Sequence, residues 1–442
     1  YTHFLSVSHM VKIQRPPEWG VNPVPEEYKK LRWFDFLALW SSLGVGLLVL
    51  QAGTLLILDT NLSVFEAIII SLIGSVIGSL MLSLAGVIGS SYGVPTMVSI
   101  RPIIGKHGSY LPTILNIIQL IGWTTFEFIV LGQAATALSR NFLGDYTYYF
   151  WLIVIAVWCW LLAVGGPLVV VRDYLEKFVI WIVYIITLAI TIIILVNPTY
   201  ISNIMAFKPL GSTKYYLLAL DLVIAMPISW MPLISDYNRF ARDKKDGLLG
   251  TLSGYTIANT WFYALGALLI VATGLSDVVS AIASLTIGGV ALIFIILDET
   301  DNAFADIYST AVSIQNVFPR TKQIVLFTIT TTLSLLLAMT INLAQYELFL
   351  IFIGASFVPL FAIIIVDYFL VRKGQYKIDE FYENAPNMRI IPFISWIIGV
   401  TLYFVFFYYC PLLGSSLWSF MITAIIYLGL SKIRGESGYG LA

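Results

Sequence analysis

The chain has 442 residues, of which 59% are hydrophobic and only 11% charged, with a formal net charge of -1. Soluble domains carry about 25% charged residues, so this composition excludes a soluble enzyme or binding module. The near-neutral balance gives no reason to expect nucleic acid as a partner.

Apolar runs near the ~20 residues needed to cross hydrocarbon occur at 33–58, 64–89, 109–138, 149–168, 177–196, 216–238, 248–273, 285–313, 323–341, 345–371, 390–409 and 413–430. Strands of an outer-membrane barrel would alternate apolar and polar over ~10 residues. These runs are longer and continuous, so the sequence predicts an all-α polytopic membrane protein of twelve transmembrane helices. Lys and Arg collect on the cytoplasmic side of membrane proteins. With the amino terminus inside, the inner segments hold 21 of them and the outer loops only Arg140, Lys208 and Lys214. A multi-pass protein of the cell membrane, with both termini cytoplasmic, is the expectation. The opening YTHFLSVSHM shows no cleaved signal peptide, and the first helix can itself direct insertion. Cys159 and Cys410 are read as helix residues, where a free thiol behaves as a small apolar group, so no disulfide is expected. His3, His9 and His107 lie outside the runs, which argues against an imidazole proton relay or metal site in the membrane.

Taken in chain order, the polar and helix-breaking residues form a pattern. The first run contains the glycine-rich WSSLGVG, residues 40–46. The third carries Gln119, Trp123 and Glu127 at successive spacings of four, hence on one face, a combination suited to a planar, hydrogen-bonding solute. The sixth contains AMPISWMPL, residues 225–233, where Pro227 and Pro232 flank Ser229 and Trp230. Proline removes a backbone donor and clashes with the preceding turn, so this run should unwind or kink, and the glycine-rich stretch is the weaker signal of the same kind. Interrupted segments at matching places in two halves point to a secondary transporter with an inverted repeat and a central site.

The eighth run holds LDETDNAFADIYS, residues 297–309. At ~100° per residue, Asp298, Glu299, Asp301, Asn302, Asp306 and Ser309 share one arc, opposite Ala303, Phe304, Ile307, Tyr308 and Ala311, with Thr300 the most polar member of that opposite side. Unpaired charge at the bilayer centre costs at least ~2.5–3.5 kcal/mol per residue, so these acids must be neutral, paired, hydrated or holding a cation. Asp298 and Glu299 also fit a hydrated stripe or cavity wall with no ligand.

GVPTMVSIRPIIGKHGSYLP between runs 2 and 3, QLIGW in run 3, SWMPLISDYNRF in run 6, YSTAVSIQN in run 8 and the leading WGVNPVPEEYKKLRWFDF together resemble the nucleobase–cation symporter family one, of the cytosine, purine and hydantoin permease type. The resemblance implies a leucine-transporter-like fold of two inverted five-helix repeats, 33–196 and 197–371. Two further helices would follow at 372–430, with cytoplasmic ends at 1–32 and 431–442. It implies a planar substrate sandwiched between Trp123 and Trp230, beside Ser229, with its ring edge read by Gln119 or Glu127 and by Asp306. A sodium ion, where used, would sit at Thr300 and Asp301 with Leu297 and the Ser41 to Gly44 region of the first helix.

The sequence departs from the family pattern toward acid. Asp306 stands where the family has asparagine, Thr300 and Asp301 replace a hydroxyl pair, and Glu127 takes the amide position. Carboxylates only accept hydrogen bonds unless protonated, which favours cytosine or an aminopurine over uracil; a thiamine-related pyrimidine coupled to protons is the alternative. Asp301 could ligate sodium, the favoured reading, or carry a proton. No cofactor and no obligate protein partner is expected, only the heterocyclic solute and the lipid bilayer. A channel would need a continuous hydrated path. An intramembrane hydrolase could use paired aspartates, but Asp298 and Asp301 lie one turn apart on a single helix, so no enzymatic activity is expected.

Overall fold

The computed structural model describes residues 18–139, 142–167, 178–209, 213–341 and 345–433. His3, His9, Arg140, residues 168 and 177 at the facing ends of the fourth and fifth runs, and the terminal stretches 1–17 and 434–442 lie outside the described residues.

A helical element stands at each of the twelve runs. The first run is a broken pair, α1 (Trp33–Ser42) and α2 (Leu47–Leu58). There follow α3 (Val64–Tyr92), α4 (Tyr110–Leu138), α5 (Thr147–Gly165), α6 (Ile180–Val196) and α7 (Pro198–Ala206). The second half comprises α8 (Tyr216–Ser229), α9 (Ile234–Asn238), α10 (Lys244–Thr273), α11 (Gly288–Val317) and α12 (Gln323–Ala338). The last three helices are α13 (Tyr346–Val366), α14 (Ile390–Tyr409) and α15 (Ser416–Ile433). Among the described residues, eight helices are long and apolar enough to cross a membrane, ten if the bent pairs α1/α2 and α6/α7 each count as one. The other two of the twelve are the acid-rich α11 and the 16-residue α12.

The two expected breaks exchange rank. The glycine-rich run is the deep one: α1 and α2 diverge by 65°. The proline-rich run stays nearly continuous, α8 passing through a single 3-10 turn, Met231–Leu233, into α9. Both prolines are accommodated. Pro227 projects toward α3 at Gly78, where a Cβ would overlap its ring. Pro232 opens the 3-10 turn, a first-turn position where a missing N–H costs nothing. A second departure is α7, a helix in what the sequence presents as a loop. Its start is conventional, with Pro198 in the first turn and the Asn197 side chain accepting from the Thr199 and Tyr200 amides.

The helices gather into two bodies and an outer group. The first body is α1, α2, α3, α8, α9 and α10; the second is α4, α5, α11 and α12; α13, α14 and α15 pack together alongside. Within the first body α2 and α10 meet backbone to backbone, since a Cβ at Gly53 or Gly266 would overlap main-chain atoms of the other helix. The lead into α1 is clipped to the segment after α9: Leu31 donates to the Phe240 carbonyl at 3.0 Å and accepts from Arg242 at 2.8 Å. The buried Arg239 guanidinium then reaches the Gly20 carbonyl at 2.7 Å and the Tyr308 hydroxyl of α11 at 2.6 Å. The outer group is tied in by Asp221 of α8, whose carboxylate accepts from the Ser415, Ser416 and Leu417 amides at the start of α15.

Candidate substrate and cation site

A cavity enclosing about 380 Å³ of space between atoms, part of it open at its mouth, lies where the two bodies face one another. The first body contributes Ser229 and Trp230 from the end of α8, with Met226 one turn earlier. The second contributes Trp123 and Glu127 from α4 and Asn302 and Asp306 from α11. Apolar closure comes from Leu43, Leu48 and Val49 at the α1/α2 break and from Leu233. Among the described residues no basic side chain lines the cavity.

Trp230 is steadied by the edge of Trp40, whose ring lies 6.3 Å away at 86°, and Trp40 is itself fixed by its indole N–H donating to Asn238 Oδ1 at 3.2 Å. Trp123 meets Phe349 edge-on at 5.4 Å. The two indoles therefore sit in the cavity wall on opposite bodies, each supported from behind. Of the two expected edge-reading groups on α4, Glu127 reaches the cavity and Gln119 does not. The Gln119 amide is fully buried one turn the other side of Trp123 and donates to Asn116 Oδ1 at 2.7 Å. Asn116 in turn donates to the Pro232 carbonyl at 3.1 Å and to Ser313 at 2.9 Å. That places Gln119 beside the support of the 3-10 turn, outside the residues that line the cavity.

From Asp298 to Ser313 every residue of α11 is buried. Its opposite face meets protein too, with Phe304 and Tyr308 packed against Tyr237. The acidic arc faces the α1/α2 break. Asp298 Oδ1 accepts from the Ser42 hydroxyl at 2.7 Å, and Glu299 Oε1 accepts from the Leu47 and Leu48 amides at 2.9 and 3.3 Å. One turn on, the Asn302 amide donates to the Val45 carbonyl at 3.3 Å. Neither Asp301 oxygen has a partner at full hydrogen-bond geometry among the described residues, although both are buried and the Ser42 hydroxyl lies close by.

The oxygen set expected from the resemblance is placed differently. Thr300 turns to α5, donating to the Leu297 carbonyl at 2.8 Å and accepting from the Trp158 indole at 3.1 Å. The Ser41 hydroxyl donates to the Gly254 carbonyl at 3.3 Å, toward α10, and Gly44 packs on Ala258 of the same helix. Thr300 turns away because it lies on the side of α11 opposite the acids, and Ser41 because one residue along α1 rotates a side chain by ~100°. Ser42 and Asp298 occupy the break in their stead. The apolar lining residues carried no signal in the sequence that distinguishes them from other helix residues.

Over residues 23–426 the chain matches the family described as "Permease for cytosine/purines, uracil, thiamine, allantoin". The chain belongs to this permease family. Among curated relatives, YxlA of Bacillus subtilis (strain 168) is 23% identical, covering 94% of this chain and 96% of its own length. The cytosine permease of Escherichia coli (strain K12) is 25% identical over 85% of this chain and 84% of its own. Among solved structures, Mhp1, a nucleobase-cation-symport-1 family transporter in a closed conformation with bromovinylhydantoin bound, superposes with a TM-score of 0.80 at 17% identity, covering 95% of this chain and 96% of that one. Against inward-facing Mhp1 the TM-score is 0.73 at 18% identity. The fold of this permease is thus the leucine-transporter-like fold of Mhp1, and the family is one of permeases, not enzymes.

Proposed function

We propose that this permease imports a planar nitrogen heterocycle bearing exocyclic amino groups, an aminopyrimidine such as cytosine or an aminopurine, by symport with a cation and alternating exposure of the cavity. The observation that carries this reading is the composition of the cavity wall, which among the described residues has two indoles, two carboxyls and no base. Indole faces give a stacking surface to any flat ring, while Glu127 and Asp306, as carboxylates, call for donors along its edge. Uracil, with two carbonyls where cytosine has one, is the poorer match. A thiamine-related aminopyrimidine falls in the same class and belongs in the same competition panel.

Asp301 supports the symport. A carboxylate buried at membrane depth without a full-geometry hydrogen bond among the described residues is too costly to leave bare, so it is neutralised by a bound cation, sodium or a proton. Since α11 carries Asp301 and Asp306 on one arc, cation and solute act on the same helix. The concentration of Lys and Arg in alternate segments supports an orientation with both termini in the cytoplasm.

The test is uptake of radiolabelled cytosine and adenine into proteoliposomes, driven first by an imposed sodium gradient and then by a pH gradient, for the wild type and Asp301→Asn. Uptake should follow one gradient, be lost in the variant, and be inhibited by aminopurines far better than by uracil. Equal competition by uracil overturns the substrate class, and uptake that follows neither gradient overturns the symport.

A further inference from the structure

The α1/α2 break leaves the first amides of α2 without helical partners, and such an end carries partial positive charge. In transporters of broken-helix design a half-helix terminus of this kind faces anionic groups of the solute. Here the protein fills the place itself. Glu299, wholly buried on α11, holds the Leu47 and Leu48 amides with one oxygen, and a Cβ on Gly46 would stand only 3.0 Å from that same oxygen. The neighbouring residues complete the clamp: Asp298 takes the Ser42 hydroxyl on one side of the break and Asn302 the Val45 carbonyl within it. The Glu299 carboxyl also meets that of Glu127, which lines the cavity.

We propose that Glu299 is a built-in anion which occupies the α2 terminus, pins the broken helix to the second body and bars carboxylate-bearing solutes from the site. An entering carboxylate would find its donors taken and two carboxyl groups in its way. The inference rests on the permease reading and narrows its substrate class to heterocycles without an acidic substituent.

The experiment compares full-length wild type, Glu299→Ala and Glu299→Gln, with formate as a small replacement anion and 5-carboxycytosine as a carboxylated competitor that keeps the cytosine edge. In the wild type formate has no effect and 5-carboxycytosine does not compete with cytosine. Glu299→Ala should lose about tenfold in cytosine uptake, the scale of a charge-assisted hydrogen bond removed from a buried site. Formate should restore it, and 5-carboxycytosine should begin to compete. A folded Glu299→Ala protein that formate does not restore, or that transports as well as wild type without it, overturns the proposal. If the alanine variant does not fold, Glu299→Gln decides: it leaves only a neutral acceptor at the amides, which an entering carboxylate can displace, so it should transport cytosine yet admit 5-carboxycytosine, and continued exclusion of that anion overturns the proposal. Should wild type take up neither cytosine nor adenine, the substrate reading fails on its own. The pin is then read from thermal stability, which formate raises in Glu299→Ala and not in wild type; no such rise overturns it.

Discussion

At the scale of single residues, the site turns on hydrogen-bond polarity. Asp306→Asn keeps the shape of the side chain and adds an N–H donor, so it should shift preference from cytosine toward uracil by about tenfold or more, the scale of one buried hydrogen-bond mismatch. Competitive uptake measures the ratio directly. Stacking is separable from this. Trp230→Phe retains a flat face where Trp230→Ala does not, and a ring stacked on an aromatic is worth ~1–3 kcal/mol. The alanine variant should therefore weaken binding of cytosine and adenine alike, by about tenfold to a hundredfold, with the phenylalanine variant between it and wild type in calorimetry. The residue types that line the cavity were legible wherever they broke the apolar background: Trp123, Glu127, Ser229, Trp230 and Asp306 each stand out in a helix otherwise built of Leu, Ile, Val and Ala. Gln119 stood out equally and yet faces inward to Asn116, because a helical stripe names a face and not the depth at which a pocket cuts it. Thr300 and Ser41 show the same limit, one residue of rotation separating a side chain at the break from one buried against a neighbour.

At the scale of elements, proline and glycine have to be read with their neighbours. Pro227 and Pro232 gave the stronger local signal, but one faces Gly78 and the other sits where no donor is needed, so α8 and α9 stay in line. The weaker signal at residues 43–46 marks the true corner, since there the chain is held open by side chains from α11, 250 residues away in sequence and invisible to any local rule. Gly78→Val should therefore lower the thermal midpoint, an overpacking cost of about 1–3 kcal/mol, by pushing Pro227 and the Trp230 turn behind it. Gly165→Ala, where no atom of the described residues stands within 4 Å of the new methyl, should not lower it. The helix α7 was missed for a different reason. Asn197-Pro198 is a plain helix start, but a search for membrane-length apolar runs passes over a nine-residue helix.

At the scale of the whole molecule, the twelve runs and their helical nature were readable because hydrophobic length is set by the bilayer and not by tertiary detail. The division into two bodies was not, since it depends on which helix faces touch. That division explains why solute and cation should feel one another. In the proposed function both would be held between the bodies, so each would favour the arrangement in which the other binds. Binding free energies then couple reciprocally: the coupling cation should tighten cytosine, and cytosine the cation, by the same factor in titration calorimetry. Unequal factors would separate the cation from the solute site.

Trp123 belongs to one body and Trp230 to the other, and both look onto the same small space. Their surroundings therefore change whenever the bodies part or close. On the proposed alternating access the permease would carry an optical gauge of its own cycle: the colour and yield of indole emission should follow the opening of the cavity, with Trp123 and Trp230 the reporters in its wall among the chain's 12 tryptophans.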